Sequence, residues 1–476
     1  MDFRIEQKGI AQTLTYDVLA YIFLMCLPVD PLDRRQPDVT QAPMLLCHIC
    51  TEWRSVALST PSIWTSLYYV SVQKPEPLAI LDKSDIDFLR WWRRNVGLLN
   101  PSLRLISTET YVSTMENLVS EEADAHANQF MIQFLTSARY LQLDVHYCTA
   151  LRHILGDQVF TSPVLESLVL WTNADNRETW LRRTSITALG DIPIFQDQIV
   201  RRLFLQDFDV NVPTQEIKYL MKWSHITHLF MYVRIELVGW FALVRECINL
   251  VSGTFSVNIG GNINMTIEPA ITTLPQMRHL NLHLHTFSFI PILILHELHL
   301  PSLTALSLRS GPGISVEDLH LTLRSTPALK ELHVGPLRDW GMVNYAYVVG
   351  DLEAFIGVPL RDVVPELEFI HFAGREQPTT IYTQPEVFKA VLGGPWLQLG
   401  IPGNCIKHIE LSNEMCNPDN REGLEVLVED LKSDMHNVGI RLSVRPNDGP
   451  VMFDLWGRKF PSFTDNFNDT RFYEQL

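Results

Sequence analysis

Two thiols three residues apart, in CHIC at 47–50, are the first residues of this 476-residue chain whose type and spacing could do chemistry. A C-x-x-C pair is half of a zinc site, because two thiolates that close share one tetrahedral ion, but the ion needs two more ligands. No second C-x-x-C follows, and His48 points off the face that Cys47 and Cys50 would share on a helix. The two cysteines read instead as small core residues. His296-Glu297-Leu298-His299 comes near the H-E-x-x-H zinc motif but is one residue short, with no third ligand evident, and reads as the polar edge of a helix beside Leu295 and Leu298. His279, His283 and His285 in HLNLHLH share one face of a strand, which a metal could use, and they read as exposed strand histidines. A G-x-S-x-G elbow, a G-x-x-x-x-G-K-[ST] phosphate loop and a G-x-G-x-x-G turn are all absent. With no assembled triad and no paired carboxylates, the chain reads as a non-enzyme with no cofactor and no metal.

Composition narrows the partners. With 46% hydrophobic and 19% charged residues the chain can bury a large core. Its 38 basic and 54 acidic residues give a net charge of −16, which repels a phosphate backbone, and only RWWRR at 90–94 offsets it locally. Nucleic acid and membrane are therefore not expected as partners. The apolar runs LAYIFLMCLP and FIPILIL fall short of the roughly 20 residues a membrane helix needs. Seven scattered cysteines fit free thiols in a reducing compartment, so a cytoplasmic and/or nuclear location is expected.

The elements that hold these residues can be read from periodicity. In LTYDVLAYIFLMCLP (14–28), Leu14, Val18, Leu19, Ile22, Phe23 and Cys26 form the apolar side of a helix that Pro28 stops. A polar loop with three prolines follows. Leu45, Leu46, Ile49, Trp53, Val56 and Ala57 then fall on one broad helical face. Ser59-Thr60-Pro61 ends that helix, and Ser62-Ile63-Trp64 begins a short turn.

This order, with Leu14, Ile22-Phe23, Cys26-Leu27-Pro28, Cys50-x-x-Trp53-Arg54, Ala57 to Pro61 and Trp64, resembles the F-box in the form common in large fungal families. The resemblance implies a three-helix F-box that docks on a Skp adaptor through Leu14, Thr15, Val18, Leu19, Ile22 and Phe23. Cys50, Trp53, Ala57, Pro61 and Trp64 would form its core. Thr15 stands where the family usually has proline.

Beyond residue 72 an apolar-x-x-apolar-x-apolar unit recurs, as in LESLVL, ITHLFM, MRHLNL, LTALSL, LKELHV, LEFIHF and IKHIEL. Starts at 277, 303 and 329 are each 26 apart, within the leucine-rich-repeat range. Helices are expected between the strands over VGWFALVRECI, SVEDLHLTLRS, QEIKYLMKW and NREGLEVLVEDLKSDMHNVG, the last capped at Gly439. The expected fold is α/β: an F-box over 10–72, a curved leucine-rich-repeat solenoid over 85–445 with strands inside and helices outside, and a tail over 446–476. An F-box followed by irregular leucine-rich repeats is a family arrangement that implies a substrate receptor of a cullin-RING ubiquitin ligase. The alternative is a leucine-rich-repeat scaffold without ligase association.

Aligning the repeats puts Val169, Phe204, Phe230, Thr254, Asn281, Ser307, His333, His371 and Glu410 in one column, and Trp171, Gln206 and Tyr232 in the next. Trp171, Phe204, Phe230 and Tyr232 are thus expected together on an open face, as a hot spot for a protein substrate. A satellite core closed by Phe460, Phe463 and Phe467 of the tail is the other reading of the same residues.

Overall fold

The computed structural model describes residues 14–27, 36–71, 83–107, 125–144, 148, 151, 154–155, 158–171, 195, 197–206, 221–258, 271–285, 297–310, 316–336, 363–372, 406–412, 426, 429, 431–432, 436 and 440–445. Most of QEIKYLMKW, together with His296, Gly439, Phe460, Phe463 and Phe467, lies outside them. The chain divides into two compact units, Met1–Phe208 with Thr464–Leu476, and Asp209–Phe463.

In the first unit the L-x-L signature does what its period of two requires, sending both leucines of a strand to one side. Strands β1 (Ser66–Ser71), β2 (Ser102–Ser107), β3 (Tyr140–Asp144), β4 (Ser167–Trp171) and β5 (Arg202–Gln206) pair in chain order, all parallel. Leu103 and Leu105, Leu141 and Leu143, Leu168 and Leu170, and Leu203 and Leu205 are buried in ranks. The first two strands and two helices, α4 (Lys83–Val96) and α5 (Ala125–Thr136), were not expected from the repeat pattern. Ile86, Leu89, Trp92 and Val96 form the buried stripe of α4. That helix ends at Gly97, whose φ of +64° is the left-handed conformation glycine adopts without a Cβ penalty.

Ahead of these strands lie α1 (Tyr16–Met25), α2 (Leu46–Ile49), α3 (Thr51–Leu58) and a 3-10 turn over Pro61–Trp64. The single helix expected through Cys50 is therefore two. Cys50 is extended (φ −158°, ψ 171°) and caps α3, its Sγ accepting from the Trp53 N–H at 3.4 Å. The break swings Leu45 and Ile49 out of the common face, and both are exposed.

The second unit repeats the logic. Strands β6 (His228–Glu236), β7 (Ser252–Asn258), β9 (His279–His285), β11 (Ala305–Ser310), β12 (Glu331–Pro336), β13 (Phe369–Phe372), β14 (His408–Ser412) and β15 (Arg441–Arg445) are parallel and in chain order. Helices α6 (Leu237–Glu246) and α7 (Val316–Arg324) fall where VGWFALVRECI and SVEDLHLTLRS placed them. A separate ladder joins β8 (Thr272–Thr273) to β10 (Leu298–His299). The helix edge expected for HELH is thus a short strand at Leu298 and His299, because two leucines flanking a histidine in LHL suit a strand's alternation. Strand β7 puts glycine where its neighbours have leucine: Gly253 pairs with Leu229 and Leu280, and the Phe255 ring fills the space of the missing side chain.

Just before β3, β4, β5, β7, β9 and β11 to β14, one backbone N–H donates to the carbonyl of the equivalent residue in the preceding repeat. In the first unit this row runs Arg139, Glu166, Arg201; in the second it includes Lys330, Glu368, Lys407. The signs alternate. Arg139 pairs with Glu166 at 3.0 Å and Lys407 with Glu368 at 2.7 Å.

Both units are mixed α/β, built on parallel strands taken in sequence, the arrangement of a repeat protein in which each turn packs on its neighbours.

Candidate functional site

Two surfaces hold the residues singled out by sequence. The first is the helical segment. Leu19 and Phe23 are 1% and 0% exposed, with the Phe23 ring 5.0 Å from that of Trp53, so these two of the six residues implied to dock on the adaptor are core residues instead. Val18 and Thr15 are exposed, and Leu14 and Ile22 are half-buried. Trp64 is fully buried, its indole N–H donating to the Ala57 carbonyl at 2.8 Å while Trp92 donates to the Trp64 carbonyl at 2.8 Å. Ala57 is buried, Cys50 and Trp53 are half-buried, and Pro61 is exposed. Burial holds the Cys47 thiol above its ordinary value, opposite to what a ligating thiolate needs. Among the described residues no group of three or more His, Cys, Asp or Glu is placed to hold a metal ion.

What the pattern missed is the extent of apolar surface. Tyr16, Tyr21, Leu24 and Met25 join Val18 as exposed, with Met25 at 71%. The signal was available, since YDVLAYIFLM is apolar on nearly every side, and a helix of that kind on a surface leaves some apolar residues uncovered. A cavity of about 520 Å³ extends this surface from Cys26 and Leu27 across Leu45 and Ile49 to Trp53 and Trp92.

The second surface is the face of the strands opposite the leucines. The aligned column is real in register: Val169 pairs with Phe204, and Phe230, Thr254, Asn281, Ser307, His333, His371 and Glu410 succeed one another across the second unit. It is not open as expected. Phe204 is 5% exposed and Val169 2%, because side chains on strands about 4.8 Å apart cover one another. Phe230 is half-buried in the second unit, and the side chains of Trp171 and Tyr232 lie outside the described residues.

His279 and His283 are also buried, which corrects the expectation of exposed strand histidines. Burial lowers the His279 imidazole to about 4, so it is neutral at pH 7. Toward the last strands the face becomes a patch of rings and carboxylates. His333 and His371 bring their Nδ1 atoms within 3.4 Å, and the Phe369 ring lies 5.4 Å from His333 and 5.1 Å from His408. Glu331 stands 4.0 Å from His333 Nε2, Glu410 stands 3.9 Å from His371 Nε2, and His408 Nε2 is 2.7 Å from the Ser443 hydroxyl.

No protein-family model and no curated protein matches the chain. Among solved structures, a structural-genomics target from Bacteroides fragilis aligns at 15% identity and a TM-score of 0.30, over 66% of this chain and 75% of that one. At that level the likeness carries no argument. Among the described residues no helix is long and apolar enough to cross a membrane.

Proposed function

We propose that the chain is the substrate-recognition subunit of a Skp-cullin-F-box ubiquitin ligase, with the N-terminal helices as a three-helix F-box and the parallel repeats as a curved leucine-rich-repeat solenoid. The observation that carries this reading is the exposed apolar stripe of α1, Val18, Tyr21 and Met25, on the helix that bears the F-box-like Ile22-Phe23 and runs into Cys26-Leu27. Contiguous apolar surface on a folded chain marks a protein contact. The chain itself makes no bond; by holding a substrate beside the transfer enzyme it raises the effective concentration of the acceptor lysine.

Leu19 and Phe23 are unsuitable as test positions, because charge there breaks the core. Val18→Asp with Met25→Asp alters only exposed residues, so the melting temperature holds while co-purification with the Skp adaptor is lost. Unchanged capture by the double variant, or no capture by the wild-type chain, sinks the proposal in favour of a scaffold without ligase association.

A further inference from the structure

We infer that His333 and His371 form a binding site for a divalent transition-metal ion of the zinc type, each supplying its Nδ1 atom. The site lies within the second unit and owes nothing to the ligase reading.

Register brings the two ligands together. His333 on β12 and His371 on β13 are directly opposed across a parallel strand pair, and both are buried. Their Nδ1 atoms are 3.4 Å apart while the ring centroids are 5.4 Å apart, so the two Nδ1 edges are turned toward each other. Zinc sits about 2.0–2.1 Å from an imidazole nitrogen in a tetrahedral shell, and two ligands of such an ion are about 3.4 Å from one another. The separation present is the one the ion needs, with no movement of either strand. Two protein ligands leave the ion's other positions to water.

The carboxylates behind the rings decide which nitrogen of each ring ligates. Glu331 stands 4.0 Å from His333 Nε2, and Glu410 stands 3.9 Å from His371 Nε2. A carboxylate beside Nε2 attracts a proton onto that nitrogen, which puts the lone pair of each neutral ring on Nδ1. The two lone pairs then meet, an arrangement that is repulsive until a cation lies between them. One proton shared between two neutral rings answers this less well. The ring that carries it on Nδ1 turns its Nε2 lone pair to a carboxylate, acceptor against acceptor. A divalent ion keeps both Nε2 protons in place and satisfies both Nδ1 atoms at once. The two carboxylates also balance its charge in buried surroundings. Glu331 is 41% exposed, so the pair adjoins solvent and an ion has a route in.

The test uses the full chain and Zn²⁺ alone, as its chloride, titrated in competition with a chromophoric chelator. Wild-type protein takes up one ion more tightly than any other. X-ray absorption of the chain loaded with one equivalent shows nitrogen and oxygen neighbours, imidazole among them, and no sulfur. His333→Gln and His371→Gln each weaken that site by about tenfold or more, since each removes one of its two protein ligands. His225→Gln with His299→Gln, on exposed histidines of the same unit, leaves it unchanged. Glu331→Gln with Glu410→Gln weakens it by about tenfold with the stoichiometry kept, as loss of outer-shell partners does. The absorption measurement needs no variant, so it decides the matter even where a substitution at His371 unfolds the chain. No tight site in the wild-type chain, sulfur in the ion's shell, a tight site that survives both histidine substitutions, equal loss in the exposed-histidine variant, or indifference to the two glutamates each overturns the assignment. Adaptor co-purification is scored on the same preparations, so a failure here is distinct from a failure of the ligase reading.

Discussion

Acid should loosen the second unit through His279, and the effect can be worked out. The imidazole is lowered from 6.5 to about 4 first by burial, with Arg278 acting in the same direction and Glu331 opposing. The unfolded chain therefore takes up a proton at a pH where the folded chain refuses it. Stability from this residue is fully present above about pH 6.5 and drains away as pH falls toward 4. The whole gap corresponds to about 3.4 kcal/mol, of which about 2 kcal/mol is lost between about pH 7.5 and pH 5. His279→Gln removes the titration. Hydrogen exchange of the β9 amides at the two pH values reads the opening free energy of that strand in each protein. The wild-type chain should lose about 2 kcal/mol more than the variant on acidification. His408, which burial and Arg441 also hold below its ordinary value, is common to both proteins and cancels in the difference. Equal losses in the two proteins would refute the assignment of a buried neutral imidazole at 279.

Two further substitutions test local structure. Thr15 precedes α1 with φ −71° and makes no side-chain cap bond, so Thr15→Pro fits the backbone it finds; it should stabilise the chain by about 0.5 kcal/mol, and a fall in melting temperature would contradict that geometry. A Cβ at Gly253 would stand 2.6 Å from the Phe255 ring, so Gly253→Leu should cost about 1–3 kcal/mol, while adding Phe255→Leu restores the ordinary L-x-L strand and recovers part of the loss; no recovery in thermal unfolding would show that the ring is not what fills the gap.

Much of the strand ladder was legible because its signal is local. Leucines two apart must face one way, and every L-x-L-like unit named from MRHLNL to IKHIEL became a parallel strand in register. SLRLIS and SLYYVS carry the same alternation but lie before the run of regular spacings, where nothing repeats to draw the eye to them. The break at Cys50 was hidden for a different reason. A thiol that caps a helix leaves the hydrophobic period intact, and only the backbone angle reveals the turn. Exposure was the least readable quantity. Register correctly placed Val169 beside Phe204, but whether a column is open depends on how far large neighbours shade one another, which no one-dimensional pattern carries.

The alternating row of charges ahead of the strands also limits how this chain can change its length. Lys330, Glu368 and Lys407 are successive neighbours, as are Arg139, Glu166 and Arg201. Excising the turn that carries Glu368 would set Lys330 against Lys407, and excising the one with Glu166 would set Arg139 against Arg201, like charges opposed across a strand pair. Copying any one of these turns would likewise place a charge against its own duplicate. Removing or copying two adjacent turns keeps the alternation intact. Within each of these two stretches the array therefore changes length without opposing like charges only by even numbers of turns, a restriction that the neutral positions Thr227, Val251 and Thr304 elsewhere in the row do not impose.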